Sequence, residues 1–427
     1  MQEYQNNWES LNSRPVPSWF EDAKLGIFIH WGIYSVPGYA PKGQYAEWYG
    51  YQIHDSKNGY GEFHRKTYGD SFRYEDFAGQ FKAELFDAKQ WAELFEKSGA
   101  KYINLVSKHH DGFCMYKSDY AWNWNSVDIG PHRDFCQELK DALEGTDVKF
   151  GVYHSVYEWT HPLYLESPEK YATEHLIPML KELVEKYRPW TLFTDGEWEH
   201  ESSVWHSTEF LQWLYNESSV KDTIVPNDRW GKETRGRLGG NFTTEYGLIS
   251  GPSEEFADER VREECRGIGK SFGINRIETT DDYLSAKELI ELFVDLVSCG
   301  SNLLINIGPA ADGTIPVIME ERLLQLGAWL SVNGEGIYGT RRYKKGENES
   351  IRYTRKGEDI YAFSFRFPFG EIILDAVDYT DGCTVQLLGS DKAITAVNRE
   401  GKLGLIIPPL NPDELKGEYV YTFKITK

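Results

Sequence analysis

The chain has 427 residues, 40% of them hydrophobic, enough for a large core and more than one small domain needs. Its net charge of −21 argues against nucleic acid or an anionic membrane as main partner. Five scattered cysteines without a C-x-x-C pair argue against a disulfide framework and a zinc site, and fit mostly reduced thiols.

The N-terminus, Met1 to Trp8, has no basic start or apolar run, so no signal peptide is expected. The expected location is therefore cytoplasmic, or secreted, lysosomal or periplasmic if a leader has been removed. No apolar stretch reaches membrane-spanning length. Up to about residue 340, short apolar runs alternate with amphipathic stretches, the pattern of repeated β/α units. The expected strands are residues 26–31, 102–108, 149–155, 191–195, 223–227, 241–245, a short piece at 271–275, and 302–307. Helical spacing falls between most of them, at residues 86–98, 168–187, 284–298 and 317–332. Eight strands with helical crossovers predict a (β/α)8 barrel over residues 1–340. The aromatic, Gly-rich stretch 32–80 reads as a long loop over the barrel mouth. The charge run 254–264 reads as a solvated face. Beyond Arg341 short alternating runs separated by turn residues predict an antiparallel β-sandwich over 341–427.

Barrel chemistry gathers at the C-terminal ends of strands. The run Thr191-Leu-Phe-Thr-Asp195 ends on a carboxylate followed by Gly196, so Asp195 could attack an anomeric carbon or cap the next helix. His30, His109, His110 and His154 end three successive strands. A metal cluster is one reading, but adjacent His109 and His110 would normally face opposite ways along a strand. Hydrogen bonding to sugar hydroxyls fits better. Trp31, Trp48, Tyr49, Phe113 and Tyr153 can supply an apolar wall. Arg229 follows the fifth strand, as a ligand contact or a structural ion pair. Glycoside cleavage needs a second carboxylate. Glu47, Glu245, Glu263 and Glu264 are candidates, and residue-level reasoning leaves them open. The abundant aromatics, 14 Trp and 27 Tyr among them, suit either a large core or stacking against pyranose rings.

Six stretches then carry a resemblance to family 29 of the glycoside hydrolases, the α-L-fucosidases. They are Trp19-Phe-x-x-Ala-Lys-x-Gly-Ile-Phe-Ile-His-Trp-Gly32, Glu47-Trp-Tyr49, Lys108-His-His-Asp-Gly-Phe113, Phe193-Thr-Asp-Gly-Glu-Trp198, Asn227-Asp-Arg-Trp-Gly231 and Asn302-Leu-Leu-Ile-Asn-Ile-Gly-Pro309. The chain is similar to the branch that includes the animal lysosomal enzymes. The resemblance implies retaining, exo-acting hydrolysis of terminal α-L-fucosyl linkages through a covalent fucosyl-enzyme. It implies Asp195 as nucleophile, and Glu263 of Arg262-Glu-Glu-Cys265 as acid/base, with Glu264 as the alternative register. It implies His30, Glu47, Trp48, His109, His110 and Arg229 as sugar contacts. Tyr153, His154 and Phe193 stand where the family often has Tyr, Tyr and Trp, and are expected to touch the sugar too. It implies no cofactor and no metal. Partners are expected to be fucosylated oligosaccharides or glycoconjugates, with oligomerisation open. The competing readings are a non-catalytic fucose-binding barrel, a retaining hydrolase of another glycoside, and a metal hydrolase built on His30, His109 and His110.

Overall fold

The computed structural model describes residues 3–55, 57–247 and 260–426. Eight parallel strands form one curled sheet: β1 (Leu25–Ile29), β2 (Tyr102–Lys108), β3 (Val152–Ser155), β4 (Thr191–Asp195), β5 (Val225–Pro226), β6 (Phe242–Glu245), β7 (Arg262–Gly267) and β8 (Ser301–Ile307). Their order is β5-β4-β3-β2-β1-β8-β7-β6. The two ends meet through backbone bonds, Gly240 N–H to Asn227 O at 3.0 Å and Asn241 N–H to Pro226 O at 3.1 Å. The sheet is thus a closed barrel, and its outer face is buried by helices because apolar residues recur at helical spacing. Helix α1 (Ala88–Lys97) starts where the Asp87 side chain accepts the Lys89 and Gln90 N–H groups, and it buries Trp91, Leu94 and Phe95. Each such side chain contributes roughly 1.5–3 kcal/mol by leaving water. Helix α2 (Ala286–Ser298) opens on a Ser285/Glu288 capping box.

The seventh strand is not at 271–275. It is β7, from the stretch Arg262-Glu-Glu-Cys-Arg-Gly267, whose charges hid it: Glu263 and Cys265 face the barrel interior while Glu264 and Arg266 pair on the outside. The expected solvated face is therefore a buried strand from residue 262 on, and residues 254–259 lie outside the described residues. The stretch 32–80 holds short helical pieces, among them Ala46–Trp48 and Gly59–Tyr68. Residues 168–187 are broken by a π-turn at Ala172–Leu176.

After the final barrel helix, α3 (Val317–Asn333), the chain builds five- and three-stranded antiparallel sheets around a second core that includes Tyr353, Leu374, Leu405 and Phe423. This is the β-sandwich. It rests on the barrel through Trp329, whose indole N–H donates to Val420 O at 2.8 Å.

Candidate active site

Strand periodicity decides what reaches the barrel interior. Phe28, Tyr102, Val106, Tyr153, Phe193, Cys265 and Leu304 fill it. At the C-terminal ends of the strands a cavity of about 360 Å³ opens above this plug. His30, His109, His110, Tyr153, Phe193 and Asp195 line it from β1 to β4, Arg229, Glu245 and Cys265 from the far side, and Glu47 and Trp48 from the loop after β1.

Asp195 does not cap a helix. One oxygen, Oδ1, accepts the Arg229 Nη1 hydrogen bond at 2.7 Å and the other, Oδ2, accepts the Tyr153 hydroxyl at 3.2 Å. Burial acts against its ionisation, but the charge of Arg229 and the hydrogen bond it donates outweigh it and hold the carboxyl below its ordinary value. Gly196, at φ +87°, turns the chain away, and a Cβ there would lie 2.5 Å from Tyr157. Arg229 is itself pinned: Nε donates to Thr243 Oγ1 at 3.0 Å, and the guanidinium sits 4.8 Å over the Phe193 ring. Its Nη1 also reaches Glu245 Oε2 at 3.3 Å. An atom 2.7 Å from one oxygen and 3.3 Å from the other keeps Asp195 Oδ1 and Glu245 Oε2 within about 6 Å of each other.

The histidines are neutral acceptors or donors rather than cations. Ser155 Oγ donates to Tyr157 O at 2.7 Å, so it must accept from His110 Nδ1 at 2.6 Å, which assigns the proton to Nδ1 and leaves Nε2 as an acceptor. The Asn306 amide donates to Phe272 O at 2.7 Å, so its oxygen accepts from His30 Nδ1 at 2.6 Å. Burial lowers His30 to about 3 and His110 to about 4, and lowers His109 as well. His109 and His110 both line the cavity because β2 ends at Lys108, after a register irregularity between Val106 and Lys108. Burial raises Glu47 to about 7, although its carboxylate accepts the Gly273 N–H at 2.8 Å.

Three expectations are corrected here. His154 faces outward from β3, with Nδ1 3.1 Å from Ser107 Oγ, so the strand puts Tyr153 at the sugar site and His154 behind it. Glu263 points into the barrel but two residues below Cys265, roughly 6–7 Å deeper, and does not line the cavity. There it accepts the Tyr102 hydroxyl at 2.5 Å. Glu264 points outward to Thr244 and Arg266. Neither glutamate faces Asp195 over the cavity, and Glu245 does. Glu245, Trp198, Phe272, Gln44 and Tyr45 complete the wall. Of these Glu245 stood among the open carboxylates, and Trp198 follows Asp195 by three residues.

The buried Glu263 gives a test. Burial raises its carboxyl from 4.5 to about 7. The folded state then binds the proton more tightly than the unfolded one, so its contribution to stability declines as pH rises from about 4.5 to about 7. Glu263→Gln keeps an acceptor for Tyr102 and has no charge to bury. It is expected to gain up to roughly 3 kcal/mol on the native protein between pH 5 and pH 8, with turnover within about threefold. Urea midpoints at the two pH values check this; a pH-independent difference would contradict it.

Among the described residues, Glu158, His161 and His175 approach metal-ligand spacing, all within 4.8 Å. They lie off the cavity, and the Lys108 ammonium already sits 2.5 Å from Glu158.

The geometry agrees with the comparisons. The α-L-fucosidase family model matches residues 1–335, and the model of the α-L-fucosidase C-terminal domain matches 344–426. The chain belongs to the α-L-fucosidase family. It is 40% identical to an α-L-fucosidase of Dictyostelium discoideum, over 100% of this chain and 95% of that one. It is 39% identical to the human tissue α-L-fucosidase, over 99% and 92%. The crystal structure of Thermotoga maritima α-fucosidase in complex with a mechanism-based inhibitor superposes with a TM-score of 0.86 at 36% identity, covering 100% of both chains. Like other members of the α-L-fucosidase family, this chain therefore pairs a barrel with a C-terminal β-sandwich. No helix among its described residues is long and apolar enough to cross a membrane.

Proposed function

We propose that this protein is a retaining α-L-fucosidase that removes terminal α-L-fucosyl groups from glycans, with Asp195 as nucleophile and Glu245 as acid/base. The observation that carries the reading is the single Arg229 nitrogen shared by the two carboxylates. Retaining enzymes hold their carboxyls about 5–5.5 Å apart and inverting ones about 6.5–9.5 Å, and the ceiling of about 6 Å that Arg229 sets on the nearest oxygens supports the first.

Asp195 attacks C1 of the fucosyl ring from the β face. The bond from C1 to the glycosidic oxygen breaks as Glu245 transfers its proton to that oxygen. The released Glu245 carboxylate then takes a proton from water, which attacks C1 from the α face and frees Asp195. Arg229 keeps Asp195 ionised for attack, and Tyr153 fixes its second oxygen. Neutral His30, His109 and His110 with Glu47 meet the ring hydroxyls, since each offers donors or acceptors that no solvent competes for. Phe28, Phe193 and Phe272 supply an apolar surface for the C5 methyl group. The cavity floor is closed by the barrel plug, which suits an end group rather than an internal residue of a chain. Proton NMR during the first minutes of hydrolysis is expected to show α-L-fucose before mutarotation; β-L-fucose as first product would overturn the reading.

A further inference from the structure

We propose that Trp198 and Tyr51 form the leaving-group subsite, an open aromatic shelf on which the Trp198 face stacks the C–H face of the sugar to which fucose is joined, with Tyr51 set at a steep angle as its outer wall. The proposal rests on the fucosidase reading above and extends it to the far side of the scissile bond.

Trp198 lies three residues beyond Asp195 and borders the same cavity, yet it is 40% exposed where Asp195 is 14% exposed at the side chain. Its ring stands 5.3 Å from His110, edge-on, and stacks on Trp48 at 6.0 Å with an interplanar angle of 29°. Tyr51, 49% exposed, stands farther out, 5.6 Å from Trp48 and perpendicular to it at 87°, and 5.6 Å from Trp159. Trp159 is anchored in turn, its backbone N–H donating to His110 O at 3.1 Å. The rings thus run without a break from the nucleophile to solvent.

Large aromatic rings held rigid and left open to water are placed for a ligand. The chemistry of that ligand follows from the rest of the rim. Gln44, Gln52 and Glu245 line the same cavity, so a ligand over the shelf meets amide and carboxyl groups at its edges. One apolar face and a hydroxylated perimeter describe a pyranose. Fucose is taken by the buried histidines below, so the ring over the shelf is the one that leaves. Binding energy spent there acts on the departing sugar and sets which glycans are cleaved.

The test compares a fucosyl disaccharide with α-L-fucosyl fluoride, whose leaving group is too small to touch the shelf. Trp198→Ala and Tyr51→Ala are each expected to lower the ratio of kcat/KM for the disaccharide over the fluoride by about tenfold, mostly through KM, and Trp198→Phe is expected to restore most of it. A ratio that stays constant while both rates fall would assign Trp198 to supporting His110 and overturn the subsite. So would unchanged kinetics in both variants. If Trp198→Ala does not fold, Tyr51→Ala at its more exposed position carries the same comparison. Native protein that turned over neither substrate would overturn the fucosidase reading and the subsite with it.

Discussion

Asp195→Gly is expected to lower kcat for an aryl α-L-fucoside by at least about 1,000-fold while the protein stays folded. The loss is large because no other group can take the covalent role. Glu245 and Glu47 are the remaining carboxylates that line the cavity among the described residues. Glu47 is tied to the Gly273 N–H, and burial keeps it near neutral at about 7. Folding should survive because Asp195 closes a strand whose neighbours are already paired to β3 and β5. Removing it also frees Arg229, which keeps Thr243 and Glu245 as partners. Turnover near the native rate would remove the nucleophile assignment.

Glu245→Ala is expected to act through the leaving group. For a fucosyl disaccharide, whose departing alkoxide must be protonated, kcat/KM should fall by about 100- to 10,000-fold. For an aryl fucoside with an acidic phenol the same step should fall far less, because the phenolate leaves without help. The contrast separates Glu245 from Glu263, whose Gln variant should show no such dependence. A series of aryl fucosides of graded phenol acidity measures it as a slope. A steep slope in the Glu263→Gln variant and a flat one in Glu245→Ala would return the acid role to β7.

The sites that were legible in the sequence are those set by local pattern. Asp195 could be found because an apolar run stops on a carboxylate and a glycine, and the strand ends there as expected. His30, His109 and His110 were legible as strand-end residues. His154 was not, since only the pleat of β3 tells that Tyr153 takes the inner face. Strand β7 escaped because Arg262, Glu263, Glu264 and Arg266 remove its apolar signature. Its charges are satisfied by partners distant in sequence, Tyr102 for Glu263 and Thr244 for Glu264. The stretch 271–275 looked like a strand but is a loop whose backbone holds Glu47 through the Gly273 N–H. Glu245 could not be singled out for a related reason. Its place beside Asp195 depends on Arg229, which crosses from the end of β5 to touch both β4 and β6, and motif spacing contains no trace of that bridge. The β-sandwich was legible from alternation alone.

The most direct measurement uses the Asp195→Gly variant in sodium azide with an aryl α-L-fucoside. Azide can occupy the space the carboxylate leaves and attack C1 from the same side. The expected product is β-L-fucosyl azide, formed as turnover recovers with azide concentration. Recovery with α-L-fucosyl azide, or no recovery in a folded variant, would place the attacking group elsewhere.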